Sequence, residues 1–181
     1  IGLGYLTLKT ELSKNQKDLV EKTQDASQAL LGLLNDILDF SKIEAGKMSI
    51  ESVPMNLAGL IKKTNNICAL RAHAKNLELI VKVHSDVPKQ IKSDPVRLQQ
   101  ILVNLVSNAI KFTESGHILI EVALAKEQQV SAEGKPLSIE FSVTDTGIGI
   151  EEKAMNNLFH SFNQADSTIT RKFGGTGLGL A

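Results

Sequence analysis

Residues 104–113 read Asn104-Leu-Val-Ser-Asn108-Ala-Ile-Lys111-Phe112-Thr113, and the fold follows from what this stretch demands of its neighbours. Asn104, Asn108 and Lys111 stand four and three residues apart, so on a helix they share one face. Most of the rest is apolar. The helix begins upstream at Asp94-Pro95, an N-cap followed by a proline suited to the first turn, and also carries Leu98, Ile101, Leu102, Leu105, Val106 and Ile110. Such a helix needs a layer to lie on. Downstream, Ile118, Ile120, Val122 and Leu124 alternate, and Ile139, Phe141 and Val143 alternate and lead into Asp145. Gln128 to Lys135 reads as a polar hairpin loop between them. Upstream, Leu77 to Val83 predicts a strand. Leu57 to about Ala74 predicts a helix carrying Leu57, Leu60, Ile61, Ile67 and Leu70, and Ser49 to Val53 a short strand ended by Pro54. The strands look antiparallel and the helices must cover one face, which makes residues 48–181 an α+β two-layer sandwich.

Residues 1–47 follow a different pattern. Ser13-Lys14-Asn15-Gln16 carries the Ser and Gln of a capping box, so a helix starts there. Leu19, Ala26, Leu30, Leu33, Ile37 and Phe40, with Thr23 between, form a heptad seam. Val20, Leu31, Leu34 and Leu38 form a second stripe beside it, and Gly46 is the expected stop. Two adjacent stripes suit a four-helix bundle rather than a two-stranded coil. Leu3, Leu6 and Leu8, in a stretch running to about Leu12, supply a short first arm. The expectation is a helical hairpin that completes its bundle with a second copy; packing onto the chain's own C-terminal part is the alternative.

Composition limits the functions open to such a chain. With 20 Lys plus Arg against 20 Asp plus Glu, there is no global basic field for nucleic acid. Cys68 is the only cysteine, which excludes an intrachain disulfide framework and a cysteine-rich zinc site. No apolar run nears the ~20 residues of a membrane helix. Ile1 falls inside a helical pattern and Ala181 directly follows a glycine run, so both ends read as cuts through structure.

Three features carry candidate chemistry. Asp145-Thr146-Gly147-Ile148-Gly149 places a carboxylate at a strand end beside two glycines, where backbone can approach a ligand; an ordinary Asp-Gly turn has the same spelling. The amides of Asn104 and Asn108 and the ammonium of Lys111 are poor acid-base catalysts but suit an oxyanion with its Mg²⁺; a solvated polar stripe is the plainer reading. Phe173-Gly174-Gly175-Thr176-Gly177-Leu178-Gly179-Leu180, after Arg171-Lys172, exposes backbone N–H groups that could face an anion, or is simply a flexible loop. It is neither a Walker loop nor a dinucleotide fingerprint. Asn163 to Thr170 reads as a mobile lid.

The order of these pieces, with Phe159-x-x-Phe162 between the last two, resembles the nucleotide-binding domain of sensor histidine kinases. The stretch from Asn104 to Thr113 looks like that family's N box. Asn35-Asp36-Ile37-Leu38-Asp39-Phe40-Ser41-Lys42-Ile43-Glu44-Ala45-Gly46 looks like the end of its second dimerisation helix, above all in hybrid sensor kinases. The resemblance implies the Bergerat sandwich shared with gyrase, heat-shock chaperone and mismatch-repair ATPases. It implies ATP and Mg²⁺ as cofactors. Asp145 would accept a hydrogen bond from the adenine amino group, Gly147 and Gly149 would line base and ribose, and Phe112 would pack on adenine. Asn108 would bind Mg²⁺ with Asn104 beside it and Lys111 near phosphate. Arg171, Gly175, Thr176, Gly177, Leu178 and Gly179 would close over the phosphates.

On this reading residues 1–47 are a dimerisation hairpin with an incomplete first helix, and 48–181 an ATP-binding catalytic domain with an incomplete C-terminal end. The enzyme would be a protein-histidine kinase that passes the γ-phosphoryl of ATP to a histidine and thence to a response-regulator Asp. Its partners would be a second copy and a receiver domain. It would lie in the cytoplasmic portion of a bacterial inner-membrane sensor protein, with membrane contact only through parts outside these residues. The family's phosphoacceptor box would fall just before Ile1; His73, His84, His117 and His160 lack its context, so these residues alone should not autophosphorylate. An ATP-hydrolysing machine of the same fold would have a Glu where Asn104 stands, and Asn is no general base. A non-catalytic dimerisation or regulatory module is the remaining alternative, which the intact Asn, Asp and Gly positions disfavour.

Overall fold

The computed structural model describes residues 1–125 and 137–155. They fall into two units: Ile1–Met48, and the described residues from Ser49 on. The polar 128–135 loop, Phe159, Phe162, His160, the 163–170 stretch and the glycine run lie outside them.

The first unit holds α1 (Gly2–Thr7) and α2 (Lys14–Glu44). The capping box forms as expected: Gln16 N–H donates to Ser13 Oγ at 3.3 Å and Ser13 N–H to Gln16 Oε1 at 2.9 Å. Gly46, at φ +62°, ends α2 in a left-handed cap, with Lys47 N–H reaching back to Lys42 O at 2.8 Å. α1 stops at Thr7, short of the expected Leu12. No residue of α2 is buried; Leu19, Leu30, Leu31, Leu34, Ile37 and Leu38 are all exposed.

The second unit runs β1 (Val53–Asn56), α3 (Leu57–Ala74), β2 (Glu78–Val83), β3 (Gln90–Ser93), α4 (Pro95–Phe112), β4 (His117–Leu124), β5 (Ile139–Asp145) and the short α5 (Glu152–Met155). The sheets are a β1–β3 ribbon and a three-stranded β2–β4–β5 sheet. The first strand begins at Val53 and contains Pro54, which pairs with Lys92. Both strands of a two-stranded ribbon are edges, where a missing donor is tolerated. Its partner β3 was not anticipated. And β2 pairs β4 parallel, because β3 and α4 form the crossover between them; the β4–β5 and β1–β3 pairs are antiparallel.

The core lies between the helices and the β4 face that carries Ile118, Ile120 and Val122. α4 contributes Leu102, Val106, Ala109 and Ile110, spaced by four and three, while Ile101 is 56% exposed one position off that stripe. α3 buries Leu57, Leu60, Ile61, Thr64, Cys68 and Ala72. Its Ile67 and Leu70, expected inside, face outward, Leu70 at 81% exposure, because the inward stripe passes through Thr64, Cys68 and Ala72 instead. Each fully buried large aliphatic side chain stabilises the sandwich by about 1.5–3 kcal/mol.

Candidate functional site

The N-terminal end of α4 is fixed by Asp94. Its Oδ1 accepts from Val96 N–H and Arg97 N–H, both at 3.0 Å, and its Oδ2 from Glu51 N–H at 3.2 Å. The Arg97 N–H, above all, holds the Asp94 carboxyl below the usual carboxylate range. One cap thus ties α4 to the segment before β1.

The other end of α4 meets the end of β5. Asp145 is the last residue of β5, in register with Ile118, and is exposed. Gly147 N–H donates to Asp145 Oδ1 at 2.8 Å, closing an Asx-type turn on the carboxylate. The buried Thr113 hydroxyl makes a long hydrogen bond, 3.5 Å, to the same oxygen. Among the described residues no hydrogen bond reaches Oδ2, so one fixed acceptor is left for an outside donor.

The loop must be glycine where it touches α4. A Cβ at position 147 would stand 2.5 Å from Phe112 O and 2.7 Å from Asp145 Oδ1. Ile148 N–H reaches the same Phe112 carbonyl at 3.4 Å. Thr146 pins the loop on its other side: its Oγ1 accepts from His117 N–H at 3.1 Å, and a Cβ on Gly116 would collide with that hydroxyl. Gly149 sits at φ +70° with open space around it, so its conformation rather than crowding calls for glycine.

Asn104, Asn108 and Lys111 line one half-buried face of α4, as their spacing requires. The Asn108 side chain makes no hydrogen bond among the described residues, whereas Asn104 is already partnered. Burial pushes the Lys111 ammonium down from its ordinary pKa, and Nζ lies 4.8 Å from the Phe112 ring centroid. The donor set fits a magnesium ion that arrives with its own phosphates. One open amide oxygen is a hard ligand, and the described residues contain no cluster of three His, Cys, Asp or Glu that would hold a metal unaided.

Asp145, Gly147 and Phe112 are therefore in direct contact, with Asn104, Asn108 and Lys111 along the adjoining helix face. Arg171, Gly175, Thr176, Gly177, Leu178 and Gly179 lie outside the described residues. Sequence reasoning missed Thr113 as a ligand of the carboxylate, although a Thr just past the helix end was a signal. It also missed Lys75, whose ammonium reaches the last turn of α4.

Residues 93–181, from just before the Asp94 cap through Asp145 onward, match the family described as histidine kinase-, DNA gyrase B-, and HSP90-like ATPase. Those residues form a domain of that family. The likeness to histidine kinases extends beyond the ATPase segment. The chain is 47% identical over 180 residues to the signal transduction histidine-protein kinase BarA of Escherichia coli K12, covering 99% of this chain and 19% of BarA. It is 38% identical over 182 residues to hybrid signal transduction histidine kinase A of Dictyostelium discoideum, covering 100% of this chain and 8% of that protein. The crystal structure of full-length ShkA in complex with AMPPNP superposes with a TM-score of 0.76 at 32% identity, over 99% of this chain and 35% of ShkA. The chain thus spans about a fifth or less of the curated relatives named here. Among its described residues no helix is long and apolar enough to cross a membrane.

Proposed function

We propose that this chain is the ATP-binding catalytic part of a hybrid two-component sensor histidine kinase. The observation that carries the reading is the fixed carboxylate of Asp145, tied through Oδ1 and open at Oδ2, beside a helix face bearing Asn108 and Lys111. Asp145 Oδ2 accepts the adenine amino group. Phe112 offers its ring to the base, and Gly147 and Gly149 keep the loop low beside base and ribose. Lys111 faces the phosphates. Asn108, with Asn104 next to it, holds Mg²⁺, which when bound neutralises charge on the phosphoryl oxygens. Arg171 and residues 175–179 close the phosphate end.

In the reaction an imidazole nitrogen of the acceptor histidine attacks the γ-phosphorus, the bond from that phosphorus to the β–γ bridging oxygen breaks, and ADP leaves. The phosphoryl then passes to an Asp of a receiver domain. Catalysis is mainly positioning and charge neutralisation. The acceptor on this reading is none of the described histidines: His84 is engaged with Glu121 at 2.8 Å, and neither His73 nor His117 has an acidic partner among the described residues. The exposed stripes of α2 pack against a second copy, and the chain belongs to the cytoplasmic part of a bacterial membrane sensor. The presence of Asn rather than Glu at position 104 favours transfer over ATP hydrolysis.

The metal assignment is tested with Asn108→Ala. Calorimetry should show a larger loss of ATP affinity with Mg²⁺ than without it. An equal loss under both conditions would return Asn108 to a packing role.

A further inference from the structure

The three long helices end in two different ways. α2 and α3 terminate themselves. After α3, Asn76 adopts φ +55°, its N–H donates to His73 O, and Leu77 N–H donates to Ala72 O, each at 2.9 Å. These two bonds satisfy the carbonyls of Ala72 and His73 in the last turn, and Leu77 is buried in the core. α4 cannot end this way, because Thr113 is extended, at φ −100° and ψ 124°, as the chain leaves for β4.

Its last carbonyls are taken up from outside. Lys75 Nζ donates to Ile110 O at 2.7 Å, Lys111 O at 3.0 Å and Thr113 O at 3.3 Å. Phe112 O, the one between, accepts from Ile148 N–H of the Asp145 loop. An ammonium group is the favoured charge at a helix C-terminus, where unpaired carbonyls concentrate negative potential. Its anchor is firm, since Lys75 is the C-cap residue of a helix closed by the left-handed Asn76.

We propose that Lys75 is a positioning residue of the nucleotide site: it holds the last turn of α4 so that Phe112 O and Thr113 Oγ1 meet the Asp145 loop in register. This rests on the reading of Asp145 as the adenine acceptor. Lys75 touches no substrate; it acts through the backbone of α4. The loop it supports has little slack, given the 2.5 Å that a Cβ at position 147 would leave to Phe112 O.

The test compares Lys75→Met, which keeps the length of the side chain but removes charge and donors, with Lys75→Arg. Amide hydrogen exchange is read at Thr113 and Ile148, with Val122 in β4 as reference, and ADP affinity is measured by calorimetry with and without Mg²⁺. Lys75→Met should speed exchange at Thr113 and Ile148 about tenfold while leaving Val122 unchanged. It should weaken ADP about three- to tenfold, equally with and without the metal, since the base end is what shifts. Lys75→Arg should restore both. Parent-like exchange and affinity in Lys75→Met would overturn the proposal, as would a uniform rise at all three amides, which marks global destabilisation. If the parent itself binds no ADP, the adenine-site reading fails, and selective or unselective exchange still decides whether Lys75 positions the loop.

Discussion

α2 and α4 carry similar apolar stripes at helical spacing and meet opposite fates. α4, 18 residues long, buries Leu102, Val106, Ala109 and Ile110 against β4 and α3. α2, 31 residues long, buries nothing, and its Leu30, Leu31, Leu34 and Ile37 stand exposed. The pattern of a helix states that a face will be buried but not by what. In α4 the covering sheet is supplied by the same chain within a few residues. In α2 the stripe stays exposed among the described residues, and under the proposed function a second copy covers it.

The contrast can be broken most strongly in α2. Leu30→Glu with Leu33→Glu would place unpaired charges in a bundle seam, a cost of several kcal/mol. Sedimentation should show a dimeric parent and a monomeric double variant, with the thermal unfolding of the sandwich unmoved. A parent that is monomeric at every concentration would remove the second copy from the account.

The next largest effect belongs to α4. Leu102→Ala should cost about 2–5 kcal/mol in urea unfolding, through lost burial and the cavity left behind. Leu34→Ala in α2, measured in the monomeric Leu30→Glu/Leu33→Glu background, should change stability by no more than about 0.5 kcal/mol. Comparable losses at both positions would mean that α2 is covered by its own chain.

The smallest expected effect is acid sensitivity. Asp94 at the α4 cap and Glu121, held down first by its hydrogen bond from Lys82 and then by His84, both have carboxyls below the usual range. A depressed folded pKa adds stability above the unfolded value that is lost as pH falls through the folded one. Stability should therefore be level above about pH 5 and decline below it. Asp94→Asn, which can keep the cap, should show a shallower decline between about pH 5 and about pH 3. An unchanged slope would show that Asp94 does not titrate with folding.

Much of this was legible before the structure because it is local. The Ser13–Gln16 box, the Asp94-Pro95 start and the β4 alternation each depend on residues a few positions apart. What was not legible depends on distance along the chain. Gln90 to Ser93 contains one apolar residue and no alternation, so β3 exists only because β1 lies beside it. The parallel β2–β4 pair needs a crossover that no local pattern records. At the site, the residue types of Asn104, Asn108, Lys111 and Asp145 were readable from their spacing. The carbonyl of Phe112 that makes Gly147 obligatory, and the three carbonyls held by Lys75, belong to the backbone and leave no mark in side-chain pattern.

The central claim, that Asp145 reads the adenine amino group, is tested most directly by calorimetric titration of parent and Asp145→Ala with ATP and with GTP. A carboxylate can only accept hydrogen bonds, and guanine presents a carbonyl where adenine presents an amino donor. One hydrogen bond to a charged group is worth about 1.5–3 kcal/mol, so the parent should prefer ATP, and Asp145→Ala should lose about ten- to a hundredfold in ATP affinity and most of that preference. Equal ATP affinity in parent and variant, or a parent that binds GTP as tightly as ATP, would contradict the account.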